Sequence, residues 1–142
     1  MKKARIVVLL VGVCILMTAL AAPVFAADVQ SLIEEFISNP VAGAEHMIAL
    51  AQEDPETAAL VLAGVAERSV EIRRTDPTLA DLLENEIALV CIELVDIDPH
   101  ASAVIINTIK DRVPEIGERI ERIVTAAGLE ESYLRAASPV RP

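Results

Sequence analysis

From Val29 onward, apolar residues recur three and four positions apart in successive short stripes, each interrupted by a polar–proline step. Val29, Leu32, Ile33, Phe36 and Ile37 form the first stripe, on a helix predicted from Asp28 to Asn39 with Glu34 and Glu35 on its opposite side. Val41, Ala44, Met47, Ile48 and Ala51 mark a second helix from Pro40 to about Gln52. Ala58, Val61, Leu62, Val65, Ser69 and Ile72 mark a third, starting at Pro55. The fourth runs from Pro77 to about Ile97, with Leu79, Leu82, Leu83, Ile87, Val90, Cys91, Leu94 and Ile97 on its apolar face. Its second half, Ile87 to Val95, is apolar nearly all round, with Glu93 the only charge. A helix of that kind is expected to be buried on most sides, so this one is predicted to be the centre of the fold. A fifth helix (Ala101, Val104, Ile105, Thr108, Ile109) starts at Pro99 and a sixth (Ile116, Ile120, Ile123, Val124, Ala127) at Pro114. Gly128 should stop the sixth, Leu129 to Ala137 can form a short last helix, and Ser138 to Pro142 reads as a disordered tail.

The breaks share one chemistry. They are Asn39-Pro40, Asp54-Pro55, Asp76-Pro77, Asp98-Pro99 and Val113-Pro114, at intervals of 15, 22, 22 and 15 residues. Proline suits the first position of a helix and forces the residue before it out of the α region. Asp or Asn at that preceding position caps the new helix through its side-chain oxygen. The predicted fold is therefore all-α: a solenoid-like array or bundle of about six to seven short antiparallel helices in a single domain, residues 27–137. A shift of 59 residues lays Pro40 on Pro99, Ala42 on Ala101, Ala44 on Ala103, Pro55 on Pro114, Glu56 on Glu115 and Val65 on Val124. Either a duplicated hairpin or shared capping rules would produce that match.

Ahead of the helices, Lys2, Lys3 and Arg5 precede an apolar run from Ile6 to Ala22, then Pro23 and the small residues around Ala26. This is the pattern of a cleaved signal peptide over residues 1–26, predicting a secreted or periplasmic protein with no membrane association after cleavage. At 17 residues the run is at the short end for a bilayer span. Cys14 lies mid-run behind Val13, a poor context for lipid attachment. Cleavage concentrates the charge: the remaining 9 basic residues stand against 22 acidic ones, a formal charge of −13. So acidic a chain, without tryptophan, is not expected to bind nucleic acid. Cys91 would be the one cysteine left, which excludes an internal disulfide and leaves stability to helix packing.

Chemistry is sparse. No glycine-rich phosphate loop, HExxH or paired ExxH motif occurs, and Cys91 sits in an apolar stretch where cysteines are usually inert. His46 has no local partner that would make it a base, and no carboxylate pair stands out for acid–base work. The candidate polar site is the turn carrying Glu93, Asp96, Asp98 and His100, whose oxygens and imidazole suit a divalent cation. Glu115–Arg119 and Glu118–Arg122 are spaced as exposed ion pairs. With 54% hydrophobic residues and no catalytic pattern, the expected function is a non-enzymatic protein-interaction or structural module. It would need no cofactor and would act on an unknown protein partner or by self-association. The alternative is a cation-binding protein using Asp96–His100 and its neighbours.

Overall fold

The computed structural model describes residues 28–142. The basic start, the apolar run, Cys14 and the cleavage point after Ala26 lie outside the described residues. Within them the chain forms seven helices: α1 (Val29–Ser38), α2 (Pro40–Glu53), α3 (Pro55–Ile72), α4 (Pro77–Ile97), α5 (Pro99–Arg112), α6 (Pro114–Ala126) and α7 (Glu131–Ala136). Five begin at the expected prolines, and the all-α expectation holds throughout the described residues.

The junctions are shorter than ordinary loops. Asn39, Asp54, Asp98 and Val113 each close one helix and open the next, with no residue in between. At Asp54 the main-chain N–H donates to the Leu50 carbonyl (2.7 Å) while Oδ1 accepts from Thr57 N–H (3.0 Å). The same device recurs at Asn39, accepting from Ala42 (3.3 Å), and at Asp98, accepting from Ala101 (3.0 Å). Asp76 also caps its helix, accepting from Leu79 N–H (3.0 Å), but follows a short turn through Arg73, Arg74 and Thr75. Val113 has no side chain to offer and relies on proline alone.

A junction this tight swings each helix across the last turns of the one before it. The fourth residue of each proline-started helix stands at or beside that crossing: Gly43, Ala58, Ala80, Ser102 and Gly117, all small and all buried. A Cβ on Gly43 would lie 2.8 Å from Phe36 Cα, and one on Gly117 would lie 2.5 Å from the Lys110 main-chain nitrogen. Those are backbone atoms and cannot rotate away, so residue size there is dictated by the crossing.

Each helix packs on its immediate neighbour in sequence up to α6 and on the helix one further along, while pairs farther apart meet only marginally. This pattern builds two layers, α1, α3, α5 and α7 in one and α2, α4 and α6 in the other, the nearest-neighbour logic of a helical solenoid. The 59-residue match relates α2 to α5 and α3 to α6, a displacement of three helices that exchanges the layers. The matched segments therefore occupy non-equivalent places, which favours shared capping rules over a duplicated packing unit.

The centre differs from the sequence expectation. Every residue from Val61 to Ala66 of α3 and from Ala101 to Ile106 of α5 is buried, whereas α4 never buries more than two in succession. These two helices are rich in alanine and small polar residues, so neighbours approach them closely from several sides. On α4, Val90, Cys91 and Leu94 are fully enclosed as predicted, but Leu82, Leu89 and Ile97 are exposed. Val41 of α2 and Ile123 of α6, both assigned to core stripes, also point outward. Phe36 is a fully buried anchor, as expected.

At the C-terminal end, Gly128 adopts φ +120°, a conformation glycine reaches without strain. Leu129 N–H then reaches back to the Val124 carbonyl and Gly128 N–H to that of Thr125, both at 3.1 Å, ending α6 in a Schellman motif. The last residues, 138–142, lie along the outer side of the odd-numbered layer. Asn107 Nδ2 donates to the carbonyls of Leu134 (2.8 Å) and Ala137 (2.9 Å), and Val140 N–H donates to Thr108 Oγ1 (3.0 Å). Pro142 reaches a depression lined by Val29, Ile33, Leu60 and Arg112. Two polar side chains of α5 thus divide the work, Asn107 holding the end of α7 and Thr108 the tail.

Candidate functional site

The four residues of the predicted polar turn lie at and on either side of the α4–α5 junction. Glu93 and Asp96 are exposed on α4, His100 is exposed at the second position of α5, and Asp98 is committed to capping that helix. Among the described residues no three His, Cys, Asp or Glu side chains converge as ligands, so these four residues are not brought together. The physical reason is the one-residue junction: it places Asp98 with its oxygens on its own helix rather than on a common point.

Reactive groups elsewhere are occupied or shielded. Cys91 is fully enclosed, and burial pushes its thiol up to about 12, far from a thiolate at neutral pH. Its carbonyl accepts a hydrogen bond from Ser102 Oγ at 2.8 Å, tying α4 to α5. His46 Nδ1 lies 3.3 Å from Glu35 Oε1 on the exposed seam between α1 and α2, with no nucleophile beside it.

The most constrained polar group is one the apolar periodicity passed over. Glu84 is only 4% exposed, on the inner side of α4. Arg73 Nη2 donates to its Oε1 at 2.8 Å, Ser69 Oγ sits 3.1 Å from the same oxygen, and Arg119 meets Oε2. Arg73 also holds Asp81 at 2.8 Å. The cluster therefore fastens the end of α3 to α4 and α6, and it takes Arg119 away from its expected partner Glu115. Neither i,i+4 pair expected on α6 is among the ion pairs of the described residues. A buried carboxylate paired with two guanidinium groups joins the segments that carry them. A glutamate one turn from both Ala80 and Ala88, inside an apolar stripe, was the signal that would have found it.

A cleft of about 730 Å³ opens between α5, α6 and α7. Its polar residues are largely engaged with one another: Lys110 with Glu121, Arg135 with Glu131 at 2.6 Å, and Asn107 with the tail. Thr125 is the sole hydroxyl of its lining, and no histidine, cysteine or serine faces it.

The two broad sides of the molecule contrast. The outer side of the odd-numbered layer is crossed by the tail, while that of the even-numbered layer is uncovered within the described residues. There Val41 is 58% exposed, Leu82 40%, Leu89 43% and Ile97 51%. At 100° per residue Leu82, Leu89 and Glu93 fall on one stripe of α4, with Asp96 beside it. Val41 and Glu45 share the corresponding side of α2. Neither α2 nor α4 contains a lysine or arginine, whereas every helix from α5 onward does. No helix of the described residues is long and apolar enough to cross a membrane. Comparison with protein-family models, with curated proteins and with solved structures finds no match for this chain.

Proposed function

We propose that this chain is an exported, non-enzymatic helical module that works by protein–protein contact through the outer face of α2 and α4. The observation that supports this reading is the run of exposed large apolar side chains, Val41, Leu82, Leu89 and Ile97, on the side that no other element covers. Exposed apolar surface of this kind marks interaction sites where it is contiguous, and these four residues lie on two helices packed against each other. The rest of the molecule supports the same reading. Its buried carboxylate joins helices, its thiol is shielded, and the cleft between α5, α6 and α7 holds the ion pairs Lys110–Glu121 and Arg135–Glu131. Secretion or periplasmic export belongs to this proposal and rests on the basic and apolar pattern of residues 1–26.

The test is site-specific photo-crosslinking in the native host, with a benzophenone side chain in place of Leu89 or, as a control, Glu118 on α6. A discrete adduct at Leu89 that is absent at Glu118 is the expected result. No adduct at Leu89, or equal labelling at both positions, would sink the reading.

A further inference from the structure

The charge on the uncovered face narrows what can dock there. On most of the molecule the cations are consumed locally: Arg73 and Arg119 by Glu84, Lys110 by Glu121, Arg112 by Glu67, and Arg135 by Glu131. On α2 and α4, beyond Asp81 and Glu84 of that cluster, the carboxylates stand alone. Glu45, Glu53, Glu86, Glu93 and Asp96 take part in no ion pair among the described residues, and neither helix has a cation of its own. Glu86, at the edge of the face, even keeps its Oε2 enclosed without a hydrogen-bond donor. The charged residues that α2 and α4 place around the apolar ridge of Leu82 and Leu89 are thus carboxylates.

We propose that this face docks a basic amphipathic helix of a partner protein. This rests on the reading that the chain acts by contact through α2 and α4. Leu82 and Leu89 are two turns apart, about 10.5 Å along the axis, the spacing at which a partner helix repeats its own apolar side. Lysine or arginine residues flanking that side meet Glu45, Glu93 and Asp96, supplying the charge that the face lacks. A second copy of this chain is disfavoured, because the same face turned on itself sets carboxylate against carboxylate. An anionic lipid surface is repelled for the same reason.

The experiment uses the protein purified from its host and a fluorescent peptide of about 18 residues, long enough to form helix on a surface. Leucines are placed at helical spacing and lysines fill the other side. A scrambled peptide of equal composition and a leucine–glutamate peptide are run beside it. Anisotropy titrations at low and moderate salt should show the ordered leucine–lysine peptide binding at least about tenfold tighter than the scrambled one. Leu89→Ser should weaken it about tenfold, and Glu93→Gln with Asp96→Asn should weaken it and flatten the salt dependence. Glu115→Gln with Glu118→Gln, on α6, should do neither; unchanged melting of all variants guards against loss of fold. Equal binding of the scrambled peptide, or indifference to the Glu93 and Asp96 changes, overturns the proposal. Binding of the leucine–glutamate peptide through Leu89 would keep the docking face and reject the basic partner. Failure of every peptide together with no photo-adduct at Leu89 would bring down both.

Discussion

Asp54 shows how much one residue carries at a junction without a loop. Thr57 donates to it twice, from its hydroxyl (2.6 Å) and its main-chain N–H (3.0 Å), and these bonds hold the carboxyl below its ordinary range. A depressed folded pKa means that the unfolded chain binds the proton more readily. The stabilisation is therefore present above the unfolded value, about 3.9, and lost as pH falls through the folded one. Asp54→Asn keeps a capping oxygen but cannot titrate. Thermal melts from pH 6 downward should show wild type losing stability relative to Asp54→Asn as the carboxyl range is crossed; parallel curves would contradict the cap. Gly117 makes the steric version of the argument. Alanine is the better helix former by about 1 kcal/mol, yet its Cβ would meet Lys110 backbone atoms at 2.5 and 2.6 Å. Gly117→Ala should accordingly destabilise by about 1–3 kcal/mol in urea unfolding, whereas a gain in stability would mean that α5 and α6 can move apart.

Among the helices, α4 is two-sided: Leu94 is fully enclosed on its inner side and Leu89 is 43% exposed on its outer one. Leu94→Ala leaves a cavity and should cost about 2–5 kcal/mol, a large part of the roughly 5–15 kcal/mol available to a domain of this size. Leu89→Ala should cost no more than about 1 kcal/mol. Chemical denaturation of both leucine variants measures the difference. If Leu94→Ala proved as mild as Leu89→Ala, the inner side of α4 would not be core. The inner positions of α3 and α5 follow a different rule, since closeness of approach there depends on alanine, glycine and serine rather than on large side chains.

For the whole molecule, the two layers of the described residues leave one broad side crossed by the tail and the other uncovered, and on that side α2 and α4 carry carboxylates but no lysine or arginine. Cys91 is enclosed and has no cysteine near it among the described residues, so helix packing holds this fold together. N-terminal sequencing of the protein from its host should begin at Ala27. A start at Met1 in a membrane fraction would replace the free module by an anchored one.

The sequence alone determined the helices and where they begin. Proline and the residue before it act within one turn, so Asn39, Asp54, Asp76 and Asp98 declare their roles without reference to anything distant. Even the helix crossings were written locally, in the small residue at the fourth position after each helix-opening proline step. What tertiary structure decided is which side of each helix is inside. Periodicity marks an apolar stripe but not how many neighbours cover it, so leucine-rich α4 looked more central than alanine-rich α3 and α5. The same limit hid Glu84, whose partners Arg73 and Arg119 come from the turn after α3 and from α6, and the docking of α7 and the tail, held by Asn107 and Thr108 far back in the chain. It also dispersed Glu93, Asp96, Asp98 and His100, because proximity in sequence at a one-residue junction does not bring side chains to a common point.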